Sequence, residues 1–260
     1  MSSFIPTTEI REPTDFGERE FRSALVNVTN VCNLSCTHCF VFRADNPNRP
    51  RDKMDDATML AQLEKLRDST PDGTIVASGV GQHQMWTSQY WRFNEPYTWV
   101  NSGALGTMGF SVPAAIGAKV GRPDAMVWAV DGDGCFQMTA QELVTAAAER
   151  IPVKVAILNN AYLGMVRQWQ EMFYEERYSE VYLSPDLPDY KLLAEAMGCV
   201  GMRVESPEEV ESAIQKANEI DDRPVVIEFR TDSAEKVFPM VPQGKGPDAL
   251  IVGNPTPTDS

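Results

Sequence analysis

Strand-like and helix-like patterns alternate from about residue 74 to residue 230, and this alternation restricts the fold more than any other feature. Five short apolar, β-branched runs are strand candidates, at residues 74–78, 125–130, 153–158, 200–204 and 225–229. Segments with helical spacing of apolar residues are predicted at 107–120, 139–149, 163–175, 189–197 and 207–219. This order predicts an α/β fold, in which a parallel sheet is flanked by helices.

Charge and cysteine usage narrow the class of protein. The 260 residues carry a formal net charge of -14, and no cluster of Lys and Arg offers a basic patch, so we expect no nucleic-acid partner. No apolar run is long enough for a membrane helix and the N-terminus does not resemble a secretory signal, so we expect a cytoplasmic protein without a membrane partner. Three of the five cysteines are clustered and do not suggest a disulfide framework, which agrees with a reducing compartment.

The chain divides into four predicted regions. Residues 1–22 are polar and are expected to form a loosely ordered arm, and residues 23–70 suggest a strand, a cysteine-containing loop and a helix that begins near Asp55 or Asp56. A turn-like seam from Asp68 to Gly73 precedes the large α/β domain, predicted for residues 71–243. The tail, residues 244–260, is rich in Pro and Gly and is expected to fray.

The strongest chemical signal is Gly132-Asp133-Gly134, followed after 24 residues by Asn159-Asn160. Each motif ends a predicted strand, and the intervening segment has the length of a right-handed crossover helix. We therefore expect Asp133 and Asn160 to lie together at the carboxyl edge of the sheet, where open α/β folds bind ligands. Their oxygens suit Mg²⁺, which usually keeps phosphate oxygens among its ligands. Taken singly, either motif could be an ordinary turn, but the spacing favours a diphosphate site.

The residues around this motif resemble a known family. The stretch VDGDGCFQMTAQELVTAAAERIPVKVAILNNAYLGMVRQWQEMFYEERYS closely resembles the C-terminal thiamine-diphosphate domain of acetolactate synthase large subunits. Upstream, GVGQHQMW and NSGALGTMGFSVPAAIGAK are similar to the diphosphate loop and the pyrimidine-contacting loop of that family. The resemblance extends over about residues 71–243.

The resemblance implies roles for particular residues. Asp133, Asn160 and the backbone carbonyl of Tyr162 would hold Mg²⁺. Met108 would be the apolar wedge that bends thiamine diphosphate, and Met165 and Trp169 would shape the pocket for the second substrate. Residues implied to contact the cofactor are Val80, Gly81, Gln82, His83, Met108, Gly132, Gly134, Cys135, Asn160, Gly164 and Met165.

Several of these residues also have a purely structural interpretation. His83 could cap a helix or pack, and Cys135 could be a small packing residue, as we expect for Cys199. The apolar stripe on the predicted helix 163–175 is more often a core face than a substrate wall; it comprises Met165, Val166, Trp169, Met172 and Phe173. Ala104 stands where the family usually has Gly, and its side chain would strain the loop if that position required a positive φ.

The cluster Cys32, Cys36 and Cys39 has C-x₃-C-x₂-C spacing, and residues 23–67 resemble the first strand-loop-helix unit of radical-SAM proteins. Three thiolates of this kind can hold a four-iron four-sulfur cluster whose open iron binds S-adenosylmethionine. The alternative is a structural zinc site with His38 or a remote fourth ligand. The resemblance ends near residue 67, before the later strands that would bind S-adenosylmethionine.

The acetolactate-synthase resemblance implies a transferase of branched-chain amino acid biosynthesis that decarboxylates pyruvate and condenses it with a second 2-oxo acid. Such a site also requires a pyrimidine-binding domain, supplied by a homo-oligomer or a separate partner, because residues 1–70 cannot contain one. Two alternatives remain open: an iron-sulfur protein of radical-SAM type, and a non-catalytic cofactor-binding module.

Overall fold

The structure is a computed structural model that describes residues 58–183, 188–242 and 244–253. The predictions for the N-terminal arm, the strand after residue 23 and the cluster Cys32, Cys36 and Cys39 lie outside these ranges. The end of the predicted tail, residues 254–260, also lies outside them.

Six parallel strands form one sheet in the order β2-β1-β3-β4-β6-β5. The strands are β1 (Ile75–Ser78), β2 (Trp99–Asn101), β3 (Val127–Gly132), β4 (Lys154–Asn159), β5 (Val200–Val204) and β6 (Val225–Arg230). Every pairing is parallel, which requires a crossover connection between successive strands. The predicted α/β class with a parallel sheet flanked by helices is confirmed.

Helices of the described ranges connect these strands. They are α1 (Thr58–Asp68), α2 (Gln82–Tyr90), α3 (Ser111–Gly121), α4 (Asp133–Phe136), α5 (Glu142–Ala148), α6 (Gly164–Phe173), α7 (Tyr190–Ala196) and α8 (Val210–Glu219), with a short 3₁₀ turn at Pro247–Ala249. None of the described helices is both long and apolar enough to cross a membrane.

The two faces of the sheet bury separate apolar clusters, because side chains alternate along each strand. Val76, Trp128 and Ile227 belong to the first cluster, while Ala77, Ala129 and Val226, their neighbours along the same strands, belong to the second. The central strands are buried along their whole length, as is typical of a parallel sheet covered on both sides.

Helix α1 lies against the first cluster, in contact with α2 and α8. Leu63 and Leu66 are buried in that cluster, and Lys65 Nζ donates a hydrogen bond of 2.8 Å to the Pro207 carbonyl. This helix was predicted as part of the cysteine-loop region, residues 23–70, whereas its described residues pack on the α/β domain. The four-region division of the chain stays a prediction.

Strand β2, helix α2, the four-residue helix α4 and the 3₁₀ turn at Pro247–Ala249 were not predicted from the sequence. Strand β2 has only three residues, all half-buried at the edge of the sheet, and it follows a segment with Asn and Pro. Helix α2 buries mostly polar side chains, including Gln82, His83 and Thr87, so it lacks the apolar periodicity that indicates a helix. The segment GQHQMW, interpreted as a loop, therefore contains the first turns of a helix.

Candidate functional site

A cavity of about 300 Å³ opens at the carboxyl edge of the sheet, between the ends of β3 and β4. Gly132 and Leu158 are register partners in these adjacent strands, so Asp133 and Asn160 follow side by side. The predicted metal ligands Asp133, Asn160 and Tyr162 all line the cavity. So do all the predicted cofactor residues: Val80, Gly81, Gln82, His83, Met108, Gly132, Gly134, Cys135, Asn160, Gly164 and Met165.

Asp133 is buried in a way that suits a cation. The residue is 1% exposed, and its Oδ2 atom has no hydrogen-bond partner in the described protein. Burial raises the pKa of Asp133 to about 7, although nearby backbone N–H groups, including those of Gly134 and Ala161, act to lower it. A buried carboxylate without a counter-charge is costly, and a divalent cation at Oδ2 would remove that cost.

Asn160 is oriented by two hydrogen bonds. Its Nδ2 donates to Gln82 Oε1 at 3.2 Å, and its Oδ1 accepts from the Tyr162 backbone N–H at 3.1 Å. An amide oxygen has a second lone pair, so Oδ1 can accept this bond and still ligate a metal ion. The donor set of a carboxylate, an amide oxygen and a backbone carbonyl fits Mg²⁺ chemistry.

Glycines leave the floor of the cavity without side chains. A Cβ atom added at Gly164 would lie 2.0 Å from Gln82 Oε1, and one at Gly132 would lie 2.8 Å from His83 Nδ1. These positions exclude any larger residue while Gln82 and His83 stay where they are. Backbone N–H groups at such positions can approach phosphate oxygens closely, as in a glycine-rich diphosphate cradle.

A buried polar cluster, comprising His83, Asp131, Cys135 and Ser111, lies beside the cradle. His83 Nε2 lies 3.4 Å from Asp131 Oδ1 but makes no hydrogen bond, and the Ser111 hydroxyl donates to Asp131 Oδ2. Gly79 permits this arrangement, because a Cβ there would lie 2.0 Å from Asp131 Oδ1. His83 is therefore positioned by packing rather than by a cap.

Cys135 is a neutral packing residue. Burial raises the pKa of its thiol to about 12, with the Asp131 charge adding to the effect. Its Sγ accepts hydrogen bonds from Gly109 N at 3.0 Å and Val80 N at 3.4 Å. The thiol thus ties two loops of the cavity together, while Cys199 is buried in the second apolar cluster as predicted.

The apolar stripe of α6 is not a core face. Val166 and Phe173 are exposed, and the helix buries Gln168 instead. Trp169, predicted to shape a substrate pocket, lines a second, more open cavity of about 690 Å³ that it shares with Met165 and Val166. Met165 lines both cavities, so the two spaces adjoin along this helix.

Ala104 does not strain its loop. The residue is not among the non-glycine residues with positive φ, whereas Gly106 and Gly109 adopt φ of 71° and 83°. The left-handed positions in this loop are therefore occupied by glycine, and the concern raised by the Gly-to-Ala departure is wrong.

Sequence reasoning missed several buried polar residues around the cavity. Gln168 Oε1 accepts from Gln82 Nε2 at 3.0 Å and from the Val237 backbone N–H at 2.8 Å, and this holds Gln82 against Asn160. A polar residue on the apolar side of α6 was a usable signal, since buried amides are retained only with partners. Asp131, the residue before the Gly-Asp-Gly motif, was another, because it is a charged residue within a fully buried strand.

The family model described as "Thiamine pyrophosphate enzyme, C-terminal TPP binding domain" matches residues 79–229, more than half of the chain. The chain belongs to this family. Thiamine pyrophosphate is thiamine diphosphate, so the family match agrees with the cradle and the cation-type site just described. The matched range contains the whole lining of the first cavity.

Relatives of this TPP-binding domain are acetolactate synthases. The chain is 56% identical over 185 residues to the acetolactate synthase large subunit of Corynebacterium glutamicum, covering 70% of this chain and 30% of that protein. It is 53% identical over 191 residues to acetolactate synthase of Mycobacterium leprae (72% and 31%). It is 44% identical over 206 residues to the mitochondrial catalytic subunit of Saccharomyces cerevisiae (79% and 30%). The chain thus spans about a third of the length of these relatives.

Proposed function

We propose that the cavity at the carboxyl edge binds thiamine diphosphate through Mg²⁺, and that the domain serves an acetolactate-synthase-type transferase. The observation that carries this proposal is the unpartnered Oδ2 of Asp133, buried beside Asn160 in a glycine cradle. The family match and the names of the relatives support the choice of cofactor and reaction.

In this proposal Asp133, Asn160 and the backbone carbonyl of Tyr162 hold Mg²⁺. The glycine cradle and His83 receive the diphosphate. Its negatively charged oxygens can accept a hydrogen bond from the His83 imidazole, whose Nε2 has no other partner. Met108 forms the apolar support under the cofactor, and Met165 with Trp169 bounds the space for a second 2-oxo acid. When bound, thiamine diphosphate supplies an electron sink for the decarboxylation of a 2-oxo acid such as pyruvate.

Exposed apolar side chains lie near the cavity on the side of the loop 103–107. Leu105 is 87% exposed and Met138 is 55% exposed, and both adjoin residues of the cavity rim. Exposed apolar side chains next to a binding site suggest a docking surface. We propose that a pyrimidine-binding domain, from another copy or another chain, covers this side and completes the site.

Metal binding by the cysteine loop is a separate proposal. Cys32, Cys36 and Cys39 lie outside both the described residues and the family match, so the iron-sulfur cluster with S-adenosylmethionine, or zinc in its place, rests on spacing alone. Anaerobic reconstitution with iron and sulfide distinguishes the two. Visible charge-transfer absorbance lost in Cys36→Ser supports the cluster, and zinc recovered without it supports the alternative.

Calorimetric titration of thiamine diphosphate into the full chain tests the cofactor proposal. We expect saturable binding with Mg²⁺, and loss of binding when the metal is chelated or when Asp133 is changed in Asp133→Asn. The matched control is Asp124→Asn, an exposed aspartate at the other edge of the sheet, which should bind as the wild type does. Equal binding with and without Mg²⁺ would contradict the proposed metal site.

A further inference from the structure

Asn159 links the metal-site loop to the interior of the sheet. It is the last residue of β4 and is buried. Its Nδ2 donates to Glu228 Oε1 at 2.7 Å, and its Oδ1 accepts from the Ala161 backbone N–H at 3.1 Å. Both ends of this side-chain amide are therefore engaged, one by the neighbouring strand and one by the loop that carries Asn160.

Ala161 needs such support because of its backbone conformation. Its φ is 61°, in the left-handed region that residues with a Cβ atom disfavour. Ala161 lies between Asn160 and Tyr162, the two proposed ligands of the loop. The backbone turn at Ala161 therefore sets the relative positions of the Asn160 amide and the Tyr162 carbonyl.

Glu228 provides a fixed acceptor for Asn159. The carboxylate is fully buried on β6, where Arg203 of β5 is its register partner. Arg203 Nε lies 2.7 Å from Oε2, and Arg230 Nε lies 2.8 Å from Oε1. Two guanidinium groups thus hold the carboxylate in one orientation. The hydrogen bond from Asn159 to this carboxylate then fixes the orientation of the Asn159 amide.

The same network reaches the Asp133 side of the site. Arg203 also pairs with Asp189 at 2.9 Å, and Asp189 caps α7 by accepting from Leu192 N at 3.0 Å. The next residue, Tyr190, is buried, and its hydroxyl donates to the Asp133 backbone carbonyl at 3.4 Å. Glu228 is therefore connected to the Asn160 loop by hydrogen bonds, and to the Asp133 loop by polar contacts together with the peptide link between Asp189 and Tyr190.

We propose that Asn159 and Glu228 are positioning residues for the metal site, acting by holding Ala161 in the left-handed conformation that presents Asn160 and Tyr162. This inference rests on the proposed function for the identity of the ligand. It assigns no contact between Asn159 or Glu228 and the metal. Residues that orient metal ligands in this indirect way commonly change metal affinity about 10–100-fold when they are replaced.

The deciding experiment is a rescue. Asn159→Ala should weaken Mg²⁺ binding, measured by titrating Mg²⁺ at saturating thiamine diphosphate, by about 10-fold or more. Glycine adopts a φ near that of Ala161 without support, so the double variant Asn159→Ala/Ala161→Gly should recover most of the loss. Loss without recovery would overturn the proposal, because a general destabilisation would not be reversed by a glycine.

The matched control is Asn218→Ala. Asn218 also bridges two elements, because its Nδ2 donates to Ser69 O at 2.8 Å and its Oδ1 accepts from Trp128 Nε1 at 3.2 Å, but it lies away from the cavity. We expect this variant to lose stability with Mg²⁺ affinity unchanged. Equal loss of Mg²⁺ affinity in Asn218→Ala and Asn159→Ala would show a structural role only.

A second measurement needs no ligand and separates this inference from the proposed function. In the metal-free protein, Asn159→Ala should increase amide hydrogen exchange at Ala161 and Tyr162 relative to the wild type, and Asn218→Ala should not. Unchanged exchange in Asn159→Ala would overturn the positioning role. Failure of the wild type to bind thiamine diphosphate would overturn the proposed function alone.

Discussion

Buried polar groups at the amino edge of the central sheet, where the strands begin, and at the carboxyl edge, where they end, differ in their hydrogen-bond partners. At the amino edge, Lys154 begins β4 and is 4% exposed, yet its Nζ donates to the carbonyls of Pro152 and Ile220 at 3.0 and 2.8 Å. Lys119 is satisfied in the same way, by the carbonyls of Pro123 and Ala125. The hydrogen-bond partners of these ammonium groups are therefore backbone carbonyls of the protein itself, and no ligand is needed to satisfy them.

At the carboxyl edge, two buried polar atoms of residues that line the cavity have no such partner: Asp133 Oδ2 and His83 Nε2. An unmade hydrogen bond in the interior costs stability, and one that borders a cavity can be satisfied by a bound ion, water or ligand. The difference between the edges teaches that burial of charge alone does not indicate a site. Absence of a partner is not sufficient either, because Arg67 Nε near the amino edge also has none; Asp133 differs because its unpartnered carboxylate is buried and lines the cavity between the ends of β3 and β4.

The largest expected effect is a pH dependence at the carboxyl edge. An unfolded aspartate titrates near 3.8, whereas burial raises the pKa of Asp133 to about 7 in the folded state. Between these values the folded protein binds one proton more, so the stability that Asp133 contributes is full below the lower value and is lost as pH rises through the upper one. In chemical denaturation of the metal-free protein, the Asp133 contribution to the free energy of unfolding should fall by a few kcal/mol as the pH is raised across this range.

Asp133→Asn provides the control for that fall, because an amide does not titrate. The difference in unfolding free energy between wild type and variant should therefore depend on pH. Saturating concentrations of Mg²⁺ and thiamine diphosphate should abolish this dependence, because they favour the charged carboxylate. A pH-independent difference would mean that the carboxylate is already compensated, and the contrast between the edges would fail.

The next effect is steric and concerns the cradle. In Gly164→Ala the new Cβ would lie 2.0 Å from Gln82 Oε1 and 2.8 Å from Asn160 Nδ2, so Gln82 must release Asn160. We expect affinity for thiamine diphosphate with Mg²⁺ to fall about 10–100-fold by calorimetry. Gly117→Ala is the matched control, since a Cβ there meets nothing within 4 Å, and the variant should bind normally. Normal binding by Gly164→Ala would show that the glycine cradle does not take part in cofactor binding.

The fold was largely predictable because most of its strands are apolar and buried on both faces. The predicted strand at 200–204 coincides with β5, and the strand predicted at 225–229 is one residue shorter than β6. Pattern reasoning failed where packing does not produce an apolar pattern. Strand β2 is too short to show one, and α2 packs with polar side chains that face the cavity.

The lining of the candidate site was predicted by motif and resemblance, but the residues that orient it were not. Asn159 was interpreted only as half of an Asn-Asn motif, and Glu228 as part of an apolar strand. Their importance depends on which side chains meet across β4, β5 and β6, and no local pattern contains that register. Trp169, which the resemblance places at the pocket for the second substrate, lines the adjoining open cavity.

The smallest expected effect is at the amino edge, and it has the opposite sign. Burial, with the nearby Lys119 charge, lowers the pKa of Lys154 from 10.5 to about 8. Between these values the unfolded chain binds the extra proton, so stability should rise with pH, and by less than it falls for Asp133 because the shift is smaller. Lys154→Met should remove this rise in denaturation measurements, whereas Lys216→Met, at an exposed position, should not. Both variants should bind thiamine diphosphate with Mg²⁺ as the wild type does. Weakened binding in Lys154→Met would show that the two edges are energetically coupled, and the division between a structural edge and a ligand edge would no longer hold.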